Sequence, residues 1–190
     1  MQFVFDAITE SAATAPPTED FYCAEPALGL FAIATASEQD GGWVVARAFL
    51  RALRQYVAES RDGSADERLS AGLRVAHDNV SAAAMQRAAE PSVTALLFDR
   101  RVVGGAASGG CSVYRGSDPL SPGTFTSSVQ CGDRWIPCSP GLRRALSDQA
   151  LAHLARQSPS GESRLGDRLV HHAKQTGTND TLTALVVDVC

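Results

Sequence analysis

Gly29-Leu30-Phe31-Ala32-Ile33-Ala34-Thr35-Ala36-Ser37-Glu38-Gln39-Asp40-Gly41-Gly42 is the stretch on which the reading of this chain turns. Leu30 to Ala34 is an unbroken apolar run with strand character. It ends in a polar loop containing two glycines, and from Trp43 the apolar residues recur at helical spacing. A strand that stops at a glycine-bearing loop and passes into a helix is a common place to hold a metal or a phosphate. The side chains of that loop therefore carry the functional question.

Outward from this stretch the elements fall into blocks. Towards the N-terminus, residues 1–6 alternate around Phe3 and Phe5 as a strand, and residues 7–18, with Pro16-Pro17, read as a loop. Glu19-Asp20 opens a second strand, Phe21 to Ala24, which the turn at Glu25-Pro26-Ala27-Leu28-Gly29 joins to Leu30–Ala34 as a hairpin. Towards the C-terminus, Val45, Phe49, Leu53 and Tyr56/Val57 form one stripe of a helix, with Asp40 as a favoured N-cap. Ser64 and Glu67 have the spacing of a capping box for a second helix carrying Leu69, Leu73, Ala76, Val80 and Ala83/Ala84 to about residue 89, before Pro91.

A β-rich middle follows. Residues 93–98 and 102–107 make a hairpin around Asp99-Arg100-Arg101, and residues 111–115, 124–130 and 134–138 read as further strands. Two helical segments come next, about 142–156 and 162–175, with Gly177 where a helix-ending glycine belongs. Residues 182–189 close as a β-branched strand. Strands, two helices, strands, two helices and a strand indicate an α+β layered domain rather than a doubly wound parallel sheet. The expected architecture is a four-layer αββα sandwich, two mainly antiparallel sheets each covered by a helix pair, within a single domain over residues 1–190.

Composition bounds the function. A net charge of -4 with no Lys/Arg cluster longer than two argues against nucleic acid and anionic membrane as partners. No apolar run approaches the roughly 18 residues of a membrane span. There is no basic n-region before the first apolar stretch, which predicts no signal peptide. The five cysteines, Cys23, Cys111, Cys131, Cys138 and Cys190, are odd in number and form no CxxC pair. They read as reduced, buried small hydrophobes of a cytoplasmic protein.

Order and spacing along nearly the whole chain resemble the metal-dependent Ser/Thr protein phosphatases, the type 2C or PPM family. Thr18-Glu19-Asp20-Phe21 looks like that family's N-E-D-x start, and Leu28 to Ala34 like the strand leading into its D-G-x-G-G loop. Gly109-Gly110-Cys111-Ser112-Val113-Tyr114 stands at its G-D-S-R-x-Y, and Ile136 to Leu142 at its L-x-C-S-D-G-L. Thr176 to Thr183 matches its closing G-x-x-D-N-x-T. The resemblance implies two divalent cations held by carboxylates, with a metal-bound water attacking the phosphoester.

The ligand positions that the resemblance supplies are largely emptied. Thr35-Ala36 replaces the Asp-Gly of the bridging carboxylate, Pro140 the Asp of S-D-G, Gly110 the Asp and Ser112 the Arg of G-D-S-R. Residues 11–18 contain no counterpart of the phosphate-binding arginine. About twenty residues stand between Tyr114 and Arg134, so the flap subdomain is reduced or absent. Glu19, Asp20 and Asp180 remain as a vestigial metal set, enough at most for one weakly bound Mg²⁺ or Mn²⁺; no resident cofactor is expected.

The resulting expectation is a pseudophosphatase: a scaffold without its catalytic centre, acting by binding a phosphoprotein, kinase or other signalling component. The alternatives are a divergent Mn/Mg-dependent Ser/Thr phosphatase that recruits Asp40, and a structural subunit of an assembly. His77, Asp78 and His171-His172 have no second metal ligand four residues further on, and Ser108 and Ser139 have no evident His/Asp partner for nucleophilic catalysis.

Overall fold

The computed structural model describes residues 1–11, 20–36, 42–87 (backbone alone over 82–87), 91–159 and 164–190. Three strands come first: β1 (Phe3–Glu10), β2 (Asp20–Glu25) and β3 (Leu30–Thr35). Helices α1 (Gly42–Glu59) and α2 (Ala65–Arg87) precede β4 (Ser92–Asp99), β5 (Val102–Ala107), β6 (Ser112–Arg115), β7 (Asp118–Pro119), β8 (Gly123–Ser128) and β9 (Arg134–Cys138). Then come α3 (Pro140–Ala145), α4 (Asp148–Arg156), α5 (Leu165–Lys174) and β10 (Leu182–Val189). One sheet has the order β1-β10-β9-β6-β7 and the other β2-β3-β4-β5-β8, and every strand pair is antiparallel.

Side-chain alternation sorts the apolar residues into three layers. Leu30, Ala32 and Ala34 of β3 pack under α1 and α2 with Val45, Phe49, Leu53 and Leu69. Phe31 and Ile33 point the other way, into the space between the sheets, where they meet Leu96, Phe98, Trp135, Leu185 and Val187. The outer face of the second sheet packs Ile136, Leu182, Ala184 and Val186 against Leu142, Leu151, Leu169 and Val170 of α3 to α5. Strands buried on both faces read as continuous apolar runs, which is why LFAIA and LTALVVDV hardly alternate. Each fully buried Leu, Ile or Phe contributes about 1.5–3 kcal/mol of burial energy. Phe31 and Phe98 add an edge-to-face contact, with ring centroids 5.9 Å apart.

The αββα sandwich expected from sequence is the observed one, with four differences in detail. Strand β1 runs to Glu10, where a loop was expected from residue 7, because Ala7 to Glu10 pair with Leu185 to Leu182. The segment expected as one helix over 142–156 is two. Leu146 is extended (φ -113°, ψ 129°), and the Ser147 hydroxyl accepts from Ala150 N–H (3.2 Å) to start α4. The step of five between Leu146 and Leu151 is where the helical phase breaks. Three helices, not a pair, therefore cover the second sheet. Finally, Cys131 and Cys190 are exposed, contrary to the expectation that all five cysteines are buried.

The capping box at Ser64 is half formed. Glu67 reaches back to accept from Ser64 N–H (2.9 Å), and the Ser64 hydroxyl donates to the same carboxylate (2.8 Å). No helix among the described residues is long and apolar enough to cross a membrane. Residues 116–133 are taken up by β7, β8 and their turns, and β8 forms the edge next to β5.

Candidate functional site

The start of β2, the end of β3, the end of β9 and the start of β10 converge at one end of the sandwich. Asp20 pairs with Thr35 across β2 and β3, while Thr9 pairs with Thr183 across β1 and β10. By alternation all four side chains face between the sheets, in register with Phe31, Ile33, Leu185 and Val187 further in. Where the apolar layer stops, a polar one begins.

Ser139 pins this corner. It is wholly buried, its hydroxyl accepts from Thr183 N–H (3.0 Å) and from Leu142 N–H (3.4 Å), and its own N–H donates to the Thr183 carbonyl (3.0 Å). It is thus the N-cap of α3 and a strut to β10 together. Pro140 follows at the first helical position, where its missing N–H costs nothing. Gly141 is required by close approach. A Cβ there would lie 2.1 Å from the Thr181 carbonyl oxygen and 2.9 Å from Asp180 Cβ, so α3 starts directly on the backbone that carries Asp180. The Thr183 hydroxyl donates to that of Thr9 at 3.0 Å.

Asp20 is 4% exposed. Burial pushes its carboxyl above the ordinary carboxylate range, against the lowering pull of the Thr35, Thr183 and Ser139 hydroxyls and of the Arg144 charge. Its Oδ2 has no hydrogen-bond partner among the described residues. Cys111 lies near enough that the Asp20 charge adds to burial in raising its thiol. Asp180 is different. Arg144 Nε donates to its Oδ2 at 3.0 Å, and this contact holds the Asp180 carboxyl below its ordinary value. Thr178 Oγ1 accepts from Asp180 N–H (3.2 Å). One guanidinium, carried by α3, thereby lies in reach of both retained acids.

Of the vestigial metal set, Asp20 and Asp180 are brought to the same corner, and Glu19 lies outside the described residues, as does Asp40. Thr35, Ala36 and Pro140 stand around that corner with no carboxylate among them. The donor set among the described residues does not fit two divalent cations. Hard cations need several anionic oxygens, whereas here one carboxylate is spent on an arginine and the other is driven towards its neutral form. Among the described residues no group of three His, Cys, Asp or Glu is placed to hold a metal.

Sequence reasoning missed two features of the corner. Ser139 does have an acidic neighbour, Asp20, although they are far apart in sequence and no base accompanies them. The arginine that pairs Asp180 was hidden in an ordinary basic pair, Arg143-Arg144, at the end of a short helix. Arg143 itself bonds Asp148 (2.8 Å) and lies over the Tyr114 ring, whose hydroxyl donates to Asp148 (2.6 Å).

No protein-family model matches the chain, and no curated protein does. Solved structures do match over its full length. The catalytic domain of the serine/threonine phosphatase PstP, solved with two manganese ions, superposes with a TM-score of 0.86 at 19% identity, over 99% of each chain. PppA of Pseudomonas aeruginosa, described as a key regulatory component of T6SS, gives 0.84 at 19% identity, over 100% of this chain and 99% of that one. The PPM Ser-Thr phosphatase MsPP of Mycobacterium smegmatis, in complex with cacodylate, gives 0.78 at 17% identity, over 98% of each. The fold is that of these PPM-type phosphatases.

Proposed function

We propose that this chain is a catalytically silent relative of the PPM phosphatases, with residues 1–190 as one domain, that acts by binding a protein. One observation carries the reading: Asp180, one of the acids retained at the ligand positions, is paired with Arg144 at 3.0 Å. A cation fixed to the chain occupies the charge that a metal would need. Thr35 brings a hydroxyl where the bridging position requires an anion, and Pro140 brings no side-chain oxygen.

The reaction of the fold's active members needs a water acidified by its metal ions. Among the described residues nothing in this corner replaces that acidification. Among the described residues no base is seen beside Asp20, and Ser139 spends its lone pairs on two backbone N–H groups. The polar corner and the exposed helix faces instead offer a binding surface, and the partner we propose is a phosphoprotein, kinase or other signalling component in the cytoplasm.

The second reading is a divergent Mn/Mg-dependent phosphatase using Glu19, Asp20 and Asp180. The unpartnered Asp20 Oδ2 favours it, since a buried acceptor without a donor is where one cation would dock. An activity assay separates the two. With millimolar Mn²⁺ or Mg²⁺ the purified protein hydrolyses p-nitrophenyl phosphate and a phosphothreonine peptide no faster than buffer on the first reading. Metal-dependent turnover that is lost in Asp20→Asn/Asp180→Asn establishes the second.

A further inference from the structure

At the opposite end of the sandwich, about 23 Å of strand beyond Thr183, lies a cavity of about 690 Å³ lined by Met1, Arg100, Arg101, Cys131 and Cys190 among others. Both cysteines are free and exposed. They are brought together by backbone, not by chance proximity of side chains. Val189 N–H donates to the Asp133 carbonyl (2.9 Å), and Gly132 N–H donates to the Val189 carbonyl (2.8 Å). Two residues of one strand thus face a single residue of the other, a one-residue bulge. The β9–β10 register ends with Asp188 opposite Arg134, and beyond the bulge the turn from Gln130 to Asp133 brings Cys131 beside Cys190 in the lining of one cavity.

The separation follows from covalent geometry. The Cys131 Cα is about 2.4 Å from the Gly132 nitrogen, and the Cys190 Cα about 2.8 Å from the Val189 oxygen. Across a 2.8 Å hydrogen bond the two Cα atoms are therefore at most about 8 Å apart. Cys131 is the second residue of the turn that Asp133 N–H closes on the Gln130 carbonyl (3.1 Å), and its backbone meets that of Cys190 across this one bond. A disulfide spans about 4.4–6.8 Å between Cα atoms. On its other side Cys190 is held by Gln2, each donating its N–H to the other's carbonyl at 2.9 and 3.4 Å, so the position is defined without the bridge.

We infer that Cys131 and Cys190 form a modification site, an exposed dithiol that hydrogen peroxide converts to an intramolecular disulfide. One thiol takes an oxygen from the peroxide, giving a sulfenic acid and one water. The second sulfur then attacks the sulfenic sulfur, the S–S bond forms, and a second water leaves with the remaining thiol proton. Two thiols are oxidised, one peroxide is reduced, and a thiol reductant reverses the bond. The other three cysteines do not compete. Burial pushes Cys23 up to about 11 and Cys138 up to about 12, and Cys111 is buried as well. The site is independent of the emptied corner, so it stands whichever reading of that corner holds.

Reduced full-length protein treated with a small excess of hydrogen peroxide, quenched and analysed by mass spectrometry without reductant tests this. The expected product is monomeric and about 2 Da lighter. Two of its five cysteines are lost to alkylation, a single cross-linked peptide joins Cys131 to Cys190, and dithiothreitol restores both thiols. Cys131→Ser and Cys190→Ser each abolish the cross-link while leaving the circular dichroism spectrum unchanged. Separate sulfinic acids without a cross-link, a disulfide between two copies, or a bridge involving Cys23, Cys111 or Cys138 would overturn the inference.

Discussion

Arg134 and Asp188 face each other across β9 and β10 as a bidentate ion pair, Nε to Oδ1 at 2.7 Å and Nη2 to Oδ2 at 2.8 Å, with side chains only 5% and 4% exposed. The same guanidinium donates to the carbonyls of Ser158 and Pro159, both at 2.7 Å. It therefore ties the segment that follows α4 to an interior strand of the sheet and satisfies two of that segment's backbone carbonyls. Burying two charges costs several kcal/mol per ion, which their attraction and the added hydrogen bonds offset.

Removing one partner leaves the other charge buried. Asp188→Asn is expected to lower unfolding free energy by about 3–5 kcal/mol, read as the midpoint of a urea titration. Arg134→Met/Asp188→Leu, which removes both charges, is expected to recover more than half of that loss. A double variant as unstable as the single one would show that the carbonyl contacts, not the ion pair, hold this corner.

Asp20 gives a prediction of opposite sign. Burial raises its folded-state pKa above the unfolded value, so the folded protein holds the proton more tightly. That contribution is present in full below the unfolded carboxylate pKa and is lost as pH rises through the folded one. At neutral pH the ionised form is therefore a liability. Asp20→Asn is expected to raise the melting temperature by a few degrees at pH 7, with the gain shrinking as pH falls through the raised folded-state value and gone below about 4. An unchanged or lowered midpoint at pH 7 would mean that Asp20 gains a counter-charge there.

The start of α3 couples stability to the site. With a Cβ on residue 141 directed at the Thr181 carbonyl oxygen, Gly141→Ala is expected to cost about 1–3 kcal/mol as an overpacked contact. It also displaces the turn that carries Arg144 towards Asp180. The companion variant Gly116→Ala tests the geometry. Its Cβ meets nothing within 4 Å, so only its positive φ of 60° opposes the change, and the loss should be that of left-handed backbone alone, about 1–2 kcal/mol. Equal losses at the two positions would remove close packing as the cause.

Much of this architecture was legible in the sequence, because apolar periodicity fixes element type and inward face. The β2–β3 and β4–β5 hairpins and the α1 stripe from Val45 to Val57 are as the pattern implies. What was not legible depended on long-range pairing. Ala7 to Glu10 carry no strong strand signal and are extended because β10 lies beside them. Asp188 is a lone acid in an apolar strand, and only the fold reveals that its partner is Arg134. That Thr35, Ala36 and Pro140 carry no carboxylate could be read residue by residue, whereas the arginine that pairs with Asp180 could not, since Arg143 and Arg144 look alike until α3 is placed.

That arginine decides what it would take to rebuild a cation site. Thr35→Asp, Ala36→Gly and Pro140→Asp return carboxylates to the corner, and opposite charge within a few ångströms favours a divalent cation strongly in a partly buried setting. In the triple variant, however, Arg144 still competes for Asp180 at 3.0 Å, and a guanidinium tethered on the same chain has a high effective concentration. The triple variant is therefore expected to bind Mn²⁺ only weakly by calorimetry. Adding Arg144→Gln should tighten binding at least about tenfold, a difference of about 1.4 kcal/mol. Arg144→Gln alone, without the new carboxylates, should show no gain in Mn²⁺ affinity, because Asp20 and Asp180 supply too few anionic oxygens. Full affinity in the triple variant without Arg144→Gln would show that the guanidinium swings aside freely. Its pairing with Asp180 would then no longer support the proposal that the site is silent.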